Sequence, residues 1–173
     1  MPLFVFGLLG MAALAVCFAP GIIARTPLKQ QILPALLPDY PGAIDLGAAS
    51  LDWMSPVTLK EITLRDLTGE PFVQIPVART EKSLLDLVLN RSDAGKVILE
   101  GPQVRIVVRD GGSNLEDVLR PMLDASNEPS TSGLKIESSA GTLELYDAEG
   151  RRSARVANIA LLFARSFEPS MAL

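Results

Sequence analysis

The chain contains no histidine and a single cysteine, Cys17. Without histidine it lacks the commonest general base, the side chain that titrates near neutral pH, and the commonest metal ligand. One cysteine allows neither an intrachain disulfide nor a thiolate zinc site. Aromatic residues are scarce, at 5%. Basic charge is not in excess: 16 Lys and Arg stand against 20 Asp and Glu, a net charge of −4. A nucleic-acid partner is therefore not expected, because phosphate neutralisation needs clustered cations.

These absences leave little for catalysis. No serine has a histidine to activate it, and Lys82 beside Ser83 is adjacency in sequence rather than geometry. Asp45, Asp52, Asp66 and Asp110 each fall at the end of a strand-like run or in a turn, where Asp ordinarily serves local hydrogen bonding. Arg109-Asp110-Gly111-Gly112-Ser113 runs into a helix start but lacks the Lys and the glycine spacing of a phosphate-binding loop. The residues point to a protein that is not an enzyme, with no cofactor, no metal and no catalytic residue.

What is present is hydrophobic and unevenly spread. The 173 residues are 48% hydrophobic and 21% charged, with a mean hydropathy of +0.28. That suits one folded domain with an appendage. The appendage is Pro2–Ala24, a run without a charged residue. As a helix it would extend roughly 34 Å, against a hydrocarbon core of about 30 Å. Two readings fit it, a retained single-pass anchor and a cleaved signal peptide; the length of the run favours the anchor. Arg25 and Lys29 follow the run and no base precedes it, which by charge alone would place the remainder in the cytoplasm.

Thr26-Pro27 then reads as a helix start, with Leu28, Ile32, Ala35 and Leu36 on one face until Pro38. From Ala43 the texture becomes strand-like. Runs are expected over Ile44–Trp53, Val57–Asp66 and Phe72–Arg79. The second slips phase at Lys60-Glu61, which suggests a bulge. In the third, Val73, Ile75 and Val77 share a face, and Pro76 marks an edge strand or a kink. Thr80–Asn90 is expected to be a short helix capped by Thr80. Val97–Glu100 and Gln103–Arg109 are two further strands, the latter with Val104, Ile106 and Val108 on one face. Ser113–Asp124 carries a capping-box spacing, Ser113 to Glu116, and an apolar stripe through Leu115, Val118, Leu119, Met122 and Leu123. Strands are expected again over Leu134–Ser139, Gly141–Asp147 and Arg152–Phe163, with a hairpin turn at Ala148-Glu149-Gly150.

The fold class is therefore α+β: an N-terminal transmembrane helix, then a mainly antiparallel, meandering sheet with two short amphipathic helices. Expected boundaries are 1–25 for the anchor, 26–42 for a membrane-proximal helix or stalk, 43–124 for the sheet domain, 125–133 for a polar linker, and 134–173 for further strands of the same sheet. Such a sheet has one oily face. Where helices leave it bare it becomes a groove for acyl chains, and Val73, Ile75, Val77, Val104, Ile106 and Val108 are the residues expected to line it. Fully covered, the same fold is instead an adaptor that docks a partner at an open sheet edge. With the leader cleaved it is a secreted binding domain.

The order of short motifs carries a resemblance. Asp52-Trp53-Met54-Ser55-Pro56-Val57, continuing through Leu59, Ile62, Leu64, Asp66, Gly69 and Pro71, resembles the start of the AsmA-like superfamily of bacterial envelope proteins. So does Ile98-Leu99-Glu100-Gly101-Pro102, followed by Val104, Ile106 and Arg109-Asp110-Gly111-Gly112-Ser113-Asn114-Leu115; Arg79–Leu85 fits the helix that family places after its third strand. The resemblance covers roughly Met1 to Leu123. It implies an inner-membrane anchor, a curved, groove-like periplasmic sheet related to bridge-like lipid-transfer proteins, and a role in phospholipid transport or outer-membrane biogenesis. The partners it implies are the lipid bilayer, phospholipid acyl chains and envelope proteins. Members are commonly several times longer, so the expectation is the membrane-proximal cap of such a groove, or a piece of a longer chain.

Overall fold

A computed structural model describes residues 19–31, 37, 40–90, 93–125 and 133–165. The expected anchor lies outside these residues except for 19–25, which are helical. The linker at 125–133 lies outside them except at its ends. Among the described residues, no helix is long and apolar enough to cross a membrane. Thr26 donates back to the preceding turn, through its backbone N–H and hydroxyl, to the Ile22 and Ile23 carbonyls; Ile32, Ala35 and Leu36 of the expected helix face lie outside the described residues. A single 3-10 turn, Pro27–Gln31, comes next.

The body is mostly antiparallel sheet with a few short helices. Its strands are β1 (Ile44–Ser50), β2 (Pro56–Arg65), β3 (Pro71–Ser83), β4 (Asp93–Glu100), β5 (Gln103–Arg109), the two-residue β6 (Gly112–Ser113), β7 (Gly133–Tyr146) and β8 (Arg152–Arg165). The helices are α1 (Leu84–Leu89) and α2 (Asn114–Ala125). β1, β2 and β3 form an antiparallel meander. β4 and β5 both pair with β3 on one side and β7 on the other, so together they act as one long strand broken at Gly101-Pro102. β8 closes the order by pairing antiparallel with β7.

Three expectations need correction. The sheet is not a pure meander, because β7 runs parallel to β4 and β5. The connection through α2 is long enough to return the chain in the same direction, which a tight turn cannot do. The two strands expected after the linker are one, Gly133–Tyr146. The helix expected from Thr80 starts only at Leu84, with Ser83 as cap: its side chain accepts from the Asp86 N–H while the Asp86 carboxylate accepts from the Ser83 N–H. Thr80 stays in β3, where its hydroxyl accepts from the Val57 N–H at 2.9 Å and donates to the Lys82 carbonyl at 2.7 Å. Ser113 does cap α2 as its spacing predicts, accepting from the Glu116 N–H at 3.3 Å.

A line of unusual backbone crosses the whole sheet. Glu61, Gly101, Ala140 and Asn158 all have left-handed φ, between 53° and 60°. The ladders place them side by side. Lys60 pairs with Val77 and Ile62 with Ile75, so Glu61 stands opposite Pro76. Val77 pairs with Glu100 and Glu100 with Ser139, which sets Gly101 and Ala140 next in line. Gly141 pairs with Ile159, beside Asn158. At the other end Gly47 faces Glu61. A Cβ on Gly47 would stand 2.3 Å from the Glu61 carboxylate, so the side chain crosses there only because glycine leaves room.

This line explains the phase slip at Lys60-Glu61. It is not an inserted residue, since the β1–β2 and β2–β3 registers run on unchanged through it. A left-handed residue breaks the two-residue alternation of side chains, so residues three apart come to share a face. Leu59 and Ile62 belong to one buried cluster, with Leu46, Val57 and Ala78. Pro76 marks the same switch in β3, an interior strand: Ile75 and Ala78 pack on the same cluster. Leu84 and Leu87 of α1, with Leu51, cover it.

Candidate functional site

The apolar face can be followed residue by residue across the ladders. On one side of the switch line, Ile44, Leu64, Val73, Val104, Leu143 and Val156 form one continuous row over six strands. Ile106 and Leu145 lie opposite each other, one step along. On the other side, Ala49, Leu59, Ala78, Leu99, Ser138 and Leu161 form the matching row. A shorter one joins Val97, Ile136 and Phe163.

Five of the six residues expected to line a groove belong to this face by register or alternation. Val73 and Val104 are direct partners, Ile75 pairs with the buried Ile62, and Val108 keeps the phase of Ile106. Val77 does not belong. It pairs with Lys60 and Glu100 on the opposite, polar face. The switch at Pro76 reverses the alternation, and Ala78 takes the place expected of Val77.

Exposure along the face is graded. Leu46 is 2% and Ile62 4% exposed, whereas Val156, Leu161 and Phe163 on β8 are 53%, 54% and 49% exposed. The middle rows, Val104, Ile106, Leu143 and Leu145, are half-buried. The face therefore begins as a closed core under α1 and ends as bare apolar surface.

The other face is polar at its centre, where charges are paired, and by alternation it also carries the buried Phe72 and the exposed Leu162. Its centre is Arg105, whose guanidinium lies 4.8 Å above the Tyr146 ring and 3.4 Å from the Glu70 carboxylate. The Tyr146 hydroxyl donates to Glu144 at 2.8 Å, which with the nearby Arg152 holds the Glu144 carboxyl below its ordinary range. Beside them, a cleft of about 210 Å³ has Asp66, Arg105, Arg109 and Asn114 in its wall. Burial alone would raise the Asp66 pKa. Hydrogen bonds from the Thr68 hydroxyl and N–H, the Glu70 N–H and the Asn114 amide outweigh it and hold the carboxyl below its ordinary value.

Asn114 also finishes an edge. Beyond the Pro71 end of β3, its side chain accepts from the Val107 N–H at 2.9 Å and donates to the Arg105 carbonyl at 3.2 Å, standing in for the missing strand. Tyr40 secures the neighbouring chain on the far side of Asp66, donating to the Arg65 carbonyl at 2.8 Å. Burial, and then the Asp66 charge, raise its pKa to about 12. The four aspartates do not converge. Asp45 pairs with Arg65, Asp52 accepts from the Met54 N–H, Asp66 serves the Thr68 turn, and Asp110 sits in the turn before β6. No group of three His, Cys, Asp or Glu that could hold a metal occurs among the described residues.

No family model matches the chain, and no curated protein or solved structure matches it significantly.

Proposed function

We propose that this chain is a membrane-anchored envelope protein of AsmA-like kind, whose sheet bends into a groove that handles phospholipid acyl chains. In this reading the uncharged N-terminal run is the anchor in the bacterial inner membrane. Residues 26–42 are the stalk, 43–124 the sheet domain, and 134–173 its continuation past the linker in the periplasm. The protein carries out no reaction; it shelters hydrocarbon from water, in phospholipid transport or outer-membrane assembly.

One observation supports this reading above the rest: an apolar row runs unbroken across six strands from Ile44 to Val156, and the same face ends in uncovered Leu161 and Phe163. Contiguous bare apolar surface marks an interaction site. Its size suits a lipid tail. Six strands at ~4.8 Å spacing measure roughly 24 Å across, while one acyl chain reaches about half of a ~30 Å hydrocarbon core.

The test is photocrosslinking in cells, with a photoreactive residue in place of Ile106, Val156 or, on the polar face, Arg105. Lipid adducts are expected at Ile106 and Val156 and not at Arg105. Absence of lipid adducts at all three positions would sink the reading. Equal adducts at Arg105 would reduce it to proximity to a membrane.

A further inference from the structure

The two outer edges of the sheet are treated differently. On β1, the Gln30 side chain donates to the Leu46 carbonyl at 2.7 Å and accepts from the Leu46 N–H at 2.9 Å. One amide thus occupies the donor and the acceptor at the middle of that edge, a device that prevents pairing with another strand. Among the described residues β8 has no such plug and pairs with β7 alone; it is 14 residues long and contains no proline and no lysine. Among the described residues no side chain bonds to its outer backbone groups.

The composition of β8 says what would pair with it. From Arg152 to Arg165 it carries three arginines and no acidic residue. Arg152 and Arg155 both turn to a single carboxylate, Glu144, at 3.1 Å and 3.6 Å. Two guanidiniums on one carboxylate leave a positive charge uncompensated on the polar face, beside the edge. On the other face Val156, Leu161 and Phe163 stand bare. A second copy of β8 would bring more cations to the same place, and like charges across a strand pair repel.

We propose that the outer edge of β8 is a docking site for an extended segment of a partner protein. That segment alternates apolar side chains, which continue the apolar face, with carboxylates, which meet Arg155 and Arg152. Backbone hydrogen bonds supply the attachment and the alternation supplies the specificity. The inference stands beside the lipid reading and does not depend on it.

The probes are three synthetic nonapeptides: alternating Val and Glu, alternating Val and Lys, and the Val–Glu peptide N-methylated at every residue so that neither backbone edge can donate. Binding to the full chain in nanodiscs is read by fluorescence anisotropy at low salt. The Val–Glu peptide is expected to bind about tenfold tighter than Val–Lys, a difference of ~1.4 kcal/mol. N-methylation is expected to abolish its binding. Arg155→Glu, an exposed substitution, is expected to reverse the charge preference. Three results would each overturn the proposal: no binding of the Val–Glu peptide, undiminished binding of its methylated form, or self-association of the chain through β8 in the absence of peptide.

Discussion

The two ends of one apolar face have opposite fates. At the β1–β3 end, Leu46, Val57, Leu59, Ile62 and Ala78 are buried and roofed by Leu51 and by Leu84 and Leu87 of α1. At the β8 end, Val156, Leu161 and Phe163 lie about half exposed in the same rows. Hydrophobicity does not explain the difference. The β8 stretch Ile159-Ala160-Leu161-Leu162-Phe163 has no polar residue, whereas β2 interleaves its apolar residues with Thr58, Lys60, Glu61 and Thr63. The more apolar strand is the barer one. Cover is decided by what the chain places above a strand, and α1 follows directly from β3 and reaches only the near end.

The largest effects should divide along that line. Leu46→Ala removes a side chain 2% exposed and is expected to cost about 2–4 kcal/mol through lost transfer energy and a residual cavity. Leu161→Ala makes a similar chemical change at a half-exposed position and is expected to stay within about 0.5 kcal/mol. Urea unfolding followed by the fluorescence of Trp53 compares them in one protein. Equal costs would mean that the β8 end is covered after all, and the contrast between the two ends would fail.

A smaller effect belongs to the polar face. Asp66 is 7% exposed and accepts from Thr68, Glu70 and Asn114. Asp66→Ala leaves those donors without their acceptor and is expected to cost about 1–3 kcal/mol. The effect should depend on pH with a defined sign. The folded-state pKa lies below the ordinary value of 3.8, so the stabilisation is complete above that value and fades as pH falls through the folded-state pKa. The gap between the parent and Asp66→Ala in unfolding free energy should therefore be widest near neutrality and narrow below pH ~3.8. A gap that widens on acidification would contradict the hydrogen-bonded carboxylate.

Much of the fold was legible in the sequence, and the misses have a common physical cause. Period-two alternation placed β5 to the residue and put Val104 and Ile106 on the apolar face with Arg105 opposite, as the pairs with Leu143, Leu145 and Glu144 show. Asp-rich turns and the Ser113 cap were equally readable, because they act over three or four residues. Alternation fails along the switch line, where Glu61, Gly101, Ala140 and Asn158 turn left-handed and Pro76 stands in β3. The slip at Glu61 announced itself because two charged residues in a row, Lys60 and Glu61, separate Leu59 from Ile62. In β3 the apolar series Val73, Ile75, Val77 ran straight through Pro76 and concealed the switch, which is why Val77 was assigned to the wrong face. The split of β7 at Ala140 was a trace of the same line, read as a break between two strands. The alignment of the switches across six strands, the parallel return of β7 and the plug at Gln30 depend on contacts between distant segments. No local pattern encodes them.

The smallest effect isolates the line that joins the two ends. Ala140 and Asn158 both hold left-handed φ, 53° and 59°, and both are exposed. For alanine this conformation costs roughly 1–2 kcal/mol, whereas asparagine visits it with much less strain. Glycine removes the strain but forfeits about 0.5–1 kcal/mol of unfolded-chain entropy. Ala140→Gly should therefore stabilise the fold by about 0.5–1 kcal/mol, and Asn158→Gly should change it little. If Ala140→Gly destabilised the protein instead, the left-handed turn at Ala140 would not be where β7 changes phase. Its upstream residues would then keep the alternation set by Leu143 and Leu145, and Ser138 and Ile136 would leave the apolar face. The comparison between a closed end and an open end of one surface can thus be tested at the backbone of a single exposed alanine, where replacing a methyl group by hydrogen disturbs no packed side chain.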